Sequence, residues 1–210
     1  MSLYTANFPY ELENIGTIRY GNFPSGDAFA RLIPQVTVSD RIPDSRYQLW
    51  VSGTWENLSM MVEPVVVHDI YGEKVLGMDY TRGGVSGRLV NAFIRYQLKN
   101  AVIQLGRSSV WWGQSWGSSI IQSGYYPPYD HVDLRFNLGN FQLELLAGQL
   151  GSEENDDGYR VKRHIAGHRL SWLPAHKRWI VGLGEQIIYT GVNRGIEWFY
   201  LNPAVPYFFT

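Results

Sequence analysis

Strict period-two alternation in neighbouring segments constrains this chain more than any other feature. Residues 131–138, HVDLRFNL, set Val132, Leu134, Phe136 and Leu138 against His131, Asp133, Arg135 and Asn137. After Gly139-Asn140, the run FQLELLAG sets Phe141, Leu143, Leu145 and Ala147 against Gln142, Glu144, Leu146 and Gly148. A side-chain period of two belongs to a strand with one buried and one polar face. A two-residue connection containing Gly between two such runs predicts a hairpin, because primed turns match the twist of the strands they join. Leu146 interrupts the polar side, so the alternation is clean only to Leu145. The pattern recurs at 90–98, VNAFIRYQL, where Val90, Ala92, Ile94, Tyr96 and Leu98 oppose Asn91, Phe93, Arg95 and Gln97. Helical periodicity is hard to find, since Gly, Pro or β-branched residues break nearly every window. The 22 Gly and 15% aromatic residues point the same way, to β-structure rich in turns.

Read in this manner, strands are predicted near 27–38, 46–53, 57–67, 89–98, 101–107, 131–138, 141–149, 159–173 and 178–190, with a weaker one near 15–20. Short turns fall at Thr54–Glu56, Lys99-Asn100, Gly139-Asn140 and Pro174–Lys177. Long loops fall at Asp69–Arg88, Ser108–Asp130 and Gly151–Gly158. Tight turns at one end and long loops at the other describe an all-β, antiparallel up-and-down meander of the outer-membrane β-barrel kind. A soluble barrel or sandwich also alternates its faces, but Arg95, Gln97, Arg135, Glu144, Arg169 and Gln186 make the polar side too polar for a small dry core. A water-filled lumen accommodates them. Leu134, Phe136, Leu143, Leu145, Val181 and Leu183 are then expected to face lipid. Tyr47, Trp172, Trp179 and Tyr189 stand near strand ends, where aromatic rings suit a membrane–water interface.

Several classes of function are set aside by the same reading. The densest apolar run, MMVEPVVV at 60–67, contains Glu63 and Pro64 and is far shorter than the ~20 residues of a membrane helix. With 18 basic against 19 acidic residues the chain carries no footprint for nucleic acid. With no Cys there is no disulfide framework, thiol nucleophile or Cys-ligated metal. MSLYTANFPYELENIG lacks a basic stretch followed by an apolar one, so a secretory signal is expected to be absent or removed. The acidic ENDDG at 154–158 lacks the closing ligand of a calcium loop. No cofactor and no metal is expected.

The segment WWGQSWGSSIIQSGYYPPYDHVDL, 111–134, holds three Trp, three Tyr and an adjacent Pro pair. Gly113–Gly117 spells G-x-S-x-G, but a nucleophile elbow requires a helix immediately after the Ser. Gly124, Pro127 and Pro128 forbid an extended one here, and no βαβ unit is visible. Ser115 is therefore expected to be a turn residue, and no catalytic residue is assigned. Paired carboxylates for glycoside hydrolysis have raw material in Asp130, Glu63, Glu185 and Glu197, with no sign that two share a cleft. The rings fit sugar stacking better, each offering a flat apolar face and a polar edge. Anchoring of a long loop, or lining of the membrane interface, is the competing reading for Trp111, Trp112 and Trp116.

Taken in order, GRSSVWWGQSWGSSIIQSGYYPPYDHVDL, LLAGQL, HIAGHRLSW and EWFYLNPAVPYF resemble the capsule assembly Wzi family. The matching positions are Trp112-Gly113, Ser123 with Pro127–His131, Ala166–Arg169, and Asn202-Pro203 with Pro206-Tyr207. The likeness covers the second half well and the first half by strand rhythm. Ser115 and the extra Tyr125 and Tyr126 depart from the family pattern. The resemblance implies an outer-membrane β-barrel lectin that is not an enzyme. Its place is the outer membrane of a Gram-negative-type bacterium, and its partners are capsular or exopolysaccharide and membrane lipid. It further implies a monomer, with 1–210 as one barrel domain incomplete at both ends. The expected polysaccharide-binding residues are Trp112, Trp116, Tyr125, Tyr126, Tyr129, Asp130, His131, Arg135 and Arg169. A porin-like passive channel and a soluble all-β carbohydrate-active enzyme are the alternatives.

Overall fold

The hairpin about Gly139-Asn140 organises its neighbours on both sides. The computed structural model describes residues 18–23, 26–38, 43–68, 80–112, 122, 127–174 and 180–207. Within them lie β1 (Ile18–Phe23), β2 (Gly26–Val38), β3 (Pro43–Trp55), β4 (Leu58–His68), β5 (Tyr80–Arg82) and β6 (Val85–Gln97). Then come β7 (Ala101–Ser108), β8 (Tyr129–Leu138), β9 (Phe141–Glu154), β10 (Arg160–Trp172), β11 (Val181–Val192) and a 3-10 turn, Trp198–Leu201. The described strands form one eleven-stranded sheet in the order β1-β2-β3-β4-β6-β7-β8-β9-β10-β11, with β5 pairing to β6. Every pairing is antiparallel. The fold is thus all-β and up-and-down. The sheet is open, with β1 and β11 as its edges among the described residues.

The turns after β3, β6, β8 and β10 lie at one end. The connections after β4, β7 and β9 lie at the other, as the linker lengths predict. Two loops are shorter than expected. The first half of the stretch 151–158 is strand, because β9 runs to Glu154, which pairs with Arg160. Arg163 reaches Glu153 at 2.6 Å, and a tight turn closed by Asn155 and Tyr159 remains. The stretch 69–88 contains β5 and the start of β6. They are joined through Gly83-Gly84, whose φ values of +59° and +77° are those a primed turn needs.

Register also revises the alternation at 90–98. A bulge lies between Glu63 and Pro64, where Glu63 pairs with Asn91 but Pro64 with Leu89. Pro has no N–H to give the ladder, so inside a sheet it is confined to edges and bulges. Val90 is the extra residue. The apolar face therefore continues through Leu89 rather than Val90.

Directly paired residues share a face, so the ladder sorts the side chains. One face carries Val51, Val62, Ile94, Leu105, Leu134, Leu145, Leu170 and Leu183, linked by register. Leu105 is 59% and Leu183 79% exposed, and Met60, Val62, Ile94, Tyr96, Ile103, Phe141, Trp172 and Val181 are exposed as well. The other face buries Glu63, Ser86, Gln104, His131, Glu144, Arg169 and Ser171. Water-soluble domains rarely expose contiguous apolar patches beyond a few hundred Å². Polar inside and apolar outside is the wall of a membrane barrel.

Of the strand-end aromatics, Tyr47 and Trp172 are exposed as expected, whereas Tyr189 is buried and Trp179 lies outside the described residues. Tyr189 is covered because the segment after β11 folds back over it, with Tyr200 4.9 Å away ring to ring.

Leu143→Arg is expected to cost ~2–4 kcal/mol of insertion free energy if it lies near mid-bilayer. Gln142→Arg, on the polar face, should be near neutral. Urea titration of the full-length protein folding into vesicles, followed by heat-modifiable gel migration, measures both.

Candidate functional site

Alternation delivers polar side chains from five adjacent strands to one surface, where they meet. On β6 and β7, Arg95 donates to Gln104 Oε1 from Nε and Nη2 at 3.0 and 2.6 Å. Gln104 donates in turn to Ser108 Oγ at 2.8 Å, and its Nε2 lies 3.3 Å from His131 Nε2. His131 Nδ1 is 2.9 Å from the Tyr129 carbonyl. Further along, Glu144 stands between two guanidiniums, 3.0 Å from Arg135 and 3.5 Å from Arg169, with Asp133 3.7 Å from Arg135. Burying a lone charge is costly. The opposed charges offset that cost here. Arg95, Arg135 and Arg169 lie around Asp133 and Glu144, and Arg135 is the more open of the Glu144 pair, at 39% against 10% for Arg169.

The described part of the loop between β7 and β8 lies on that same face. Trp112 and Gln122 form an isolated antiparallel bridge. Gln122 bonds to the Tyr129 hydroxyl and accepts from Gln186 Nε2 at 2.9 Å. Trp112 is 1% exposed and packs with Val110, Tyr129, Leu146 and Ile165. Leu146, which interrupts the alternation, is thereby accounted for: it supplies an apolar seat under the Trp within an otherwise polar surface. Gly167 supplies the clearance, since a Cβ there would stand 2.8 Å from the indole ring.

The expected binding residues therefore fall into groups. Tyr129, His131, Arg135 and Arg169 share the polar face with Trp112, as their register requires. Tyr129, His131 and Arg169 are buried. Asp130 is on the opposite face, one residue out of phase, in a 2.9 Å ion pair with Arg107. Trp116, Tyr125 and Tyr126 lie outside the described residues, as do Gly113–Gly117 and Ser115. Gln104, Asp133 and Gln122 join the network without having been singled out. A polar residue in the polar phase of its strand was the available signal for the first two. Gln122 carries none, because a bridge within a loop has no periodicity.

The carboxylates considered for hydrolysis are dispersed. Glu63 accepts from Gln48 and Asn91 on the polar face of β4. Asp130 and Glu185 are on the apolar face, on β8 and β11, and Glu197 beyond β11 is held 2.7 Å from Arg194.

An antiparallel wall with its polarity reversed, apolar outward and polar on the side where Trp112 and Gln122 lie, defines the class: a transmembrane β-barrel protein. Residues 44–205 match the family model described as capsule assembly protein Wzi, so the chain belongs to the Wzi capsule assembly family. No curated protein and no solved structure matches it.

Gly167→Ala should cost about 1–3 kcal/mol by overpacking against Trp112. The cost should shrink in a Trp112→Phe background, because the two positions share one contact. Urea midpoints of the two single variants and the double variant, in detergent micelles, test the coupling.

Proposed function

We propose that this protein is an outer-membrane β-barrel that holds acidic capsular polysaccharide at the outer mouth of its lumen and takes no catalytic part. The observation that carries this reading is the reversed wall, with a charged, guanidinium-rich surface behind the Trp112 loop. Membership of a capsule assembly family supplies the polymer. Arg135, the more open of the two guanidiniums beside Glu144, offers paired donors to a sugar carboxylate. Trp116, Tyr125 and Tyr126 are the stacking rings in this proposal. Trp112, buried with Tyr129 and Leu146, holds the loop in place instead of contacting sugar. A passive channel is the weaker reading, because Trp112 and Gln122 set the loop across the polar face rather than clear of it.

The test is retention of acidic polysaccharide by the full-length, refolded protein. If each ring contributes ~0.5–1.5 kcal/mol, Trp116→Ala with Tyr125→Ala and Tyr126→Ala should weaken binding at least several-fold without altering assembly. Arg135→Gln should weaken binding of acidic polymers more than neutral ones. Ser115→Ala should change nothing. Undiminished binding in the triple variant removes the stacking role, and an esterase activity lost with Ser115 overturns the non-enzymatic reading.

A further inference from the structure

The apolar face ends on different rows in different strands, and the way it ends locates the membrane. Hydrogen-bonded rows run perpendicular to the strands. One row joins Ile103, Leu134, Leu145, His168 and Glu185. On β7 and β8 this face stays apolar above that row through Leu105 and Val132, and the first charges are Arg107 and Asp130. On β10 and β11 the first ionisable side chains, His168 and Glu185, lie in the row itself. On β4 the face remains apolar as far as Val66. The boundary thus lies four residues lower on β10 and β11 than on β7 and β8, at 134 against 130 in β8 numbering, an average of one residue per strand from β7 to β11. One residue per strand is ~3.4 Å along against ~4.8 Å across, a slope of roughly 35°. That is the tilt of strands in an outer-membrane barrel, ~35–45°. A flat bilayer edge across tilted strands produces this slant.

The segment after β11 lies over the wall above that line. His168 and Glu185 are 3.9 Å apart, Tyr207 donates its backbone N–H to Glu185 at 2.8 Å, and its ring meets His168 edge-on at 4.8 Å. Tyr200 and Tyr207 close over Ala166, Ile187 and Tyr189, all on the apolar face by register. Tyr207 also donates its hydroxyl to the Tyr200 carbonyl at 2.5 Å. The polar groups that would otherwise meet the bilayer are covered by protein. Next to Tyr200, Trp198 and Phe199 remain 63% and 53% exposed.

We infer that the outer edge of the bilayer follows the line from Arg107–Asp130 to His168–Glu185, and that Trp198 and Phe199 enter the lipid headgroup layer there. The partner is the membrane interface. The exposed rings adjoin Tyr200, which itself packs on that face, and indole is at home where one side is apolar and the other wet. Segment 194–207 is then an anchor outside the barrel, on the face opposite to that on which Trp112 and Gln122 lie. This rests on the membrane reading of the wall, not on polysaccharide binding.

The 210 residues contain no Cys, so single labelling positions can be introduced into them. Full-length protein refolded into phosphatidylcholine vesicles is spin-labelled at Trp198→Cys, at Phe199→Cys, at Leu183→Cys as the lipid reference and at Asp156→Cys as the aqueous reference. Collision with oxygen and with a nickel chelate reports depth. Labels at 198 and 199 are expected to fall between the two references. Nickel accessibility equal to that at 156, or depth equal to that at 183, overturns the inference. An aqueous signal at 183 instead sinks the membrane reading itself.

Discussion

The antiparallel ladder decides the destination of every side chain in this wall. A slip of one residue would send Arg135, Glu144 and Arg169 to the face now held by Leu134, Leu145 and Leu170. Neither face tolerates the exchange. Lipid offers no partners to a guanidinium, and apolar side chains cannot supply the ion pairs the polar face uses. Register is therefore specified from both sides at once, as in few soluble sheets. The bulge at Glu63/Pro64 preserves this phase: it absorbs one residue of β6 where Pro64 cannot donate.

On the polar face, the consequence is a surface whose members depend on one another. Glu144 without its guanidiniums would be a buried, uncompensated charge, and Arg169 without Glu144 would be the same. Such a network holds strands rigidly together only while it is complete. The loop over it follows a different logic. Trp112 is held by shape, in a gap left by Gly167 and over the floor provided by Leu146. Polar contacts to Tyr129 and Gln186 fix the other side of the bridge. The combination leaves a charged wall with a fixed aromatic ring on it.

At the loop end, the segments after β7 and β11 thus turn in opposite directions. After β7, Trp112 and Gln122 lie on the polar face, with Trp112 seated against Tyr129, Leu146 and Ile165. The one after β11 goes to the apolar face, where Tyr200 and Tyr207 cover His168 and Glu185. Each meets the side that its residues suit. The first presents a buried Trp to an apolar notch in a polar surface. The second brings a backbone N–H and ring edges to a polar pair within an apolar one.

Much of this was legible in the residues themselves. The strands, the hairpin at Gly139-Asn140, the end at which each connection lies and the polar identity of Arg95, Arg135, Glu144 and Arg169 all follow from period two, because alternation is a local property of the chain. The order of short motifs from Trp112 to Tyr207 also carried the family resemblance. Extension of β9 to Glu154 was not visible, since Gly148 and Gly151 blur the pattern and pairing with β10 holds the strand. Neither was the phase shift at Val90, which exists only against Pro64. Asp130 looked like a neighbour of His131 in a common site, yet adjacent residues of a strand point apart. Leu146 read as a flaw and Tyr189 as an interface ring until the Trp112 loop and the segment after β11 were seen to cover them. What sequence alone determined was which residues alternate. Only the tertiary structure decided what covers each face, because that depends on contacts between segments far apart in the chain.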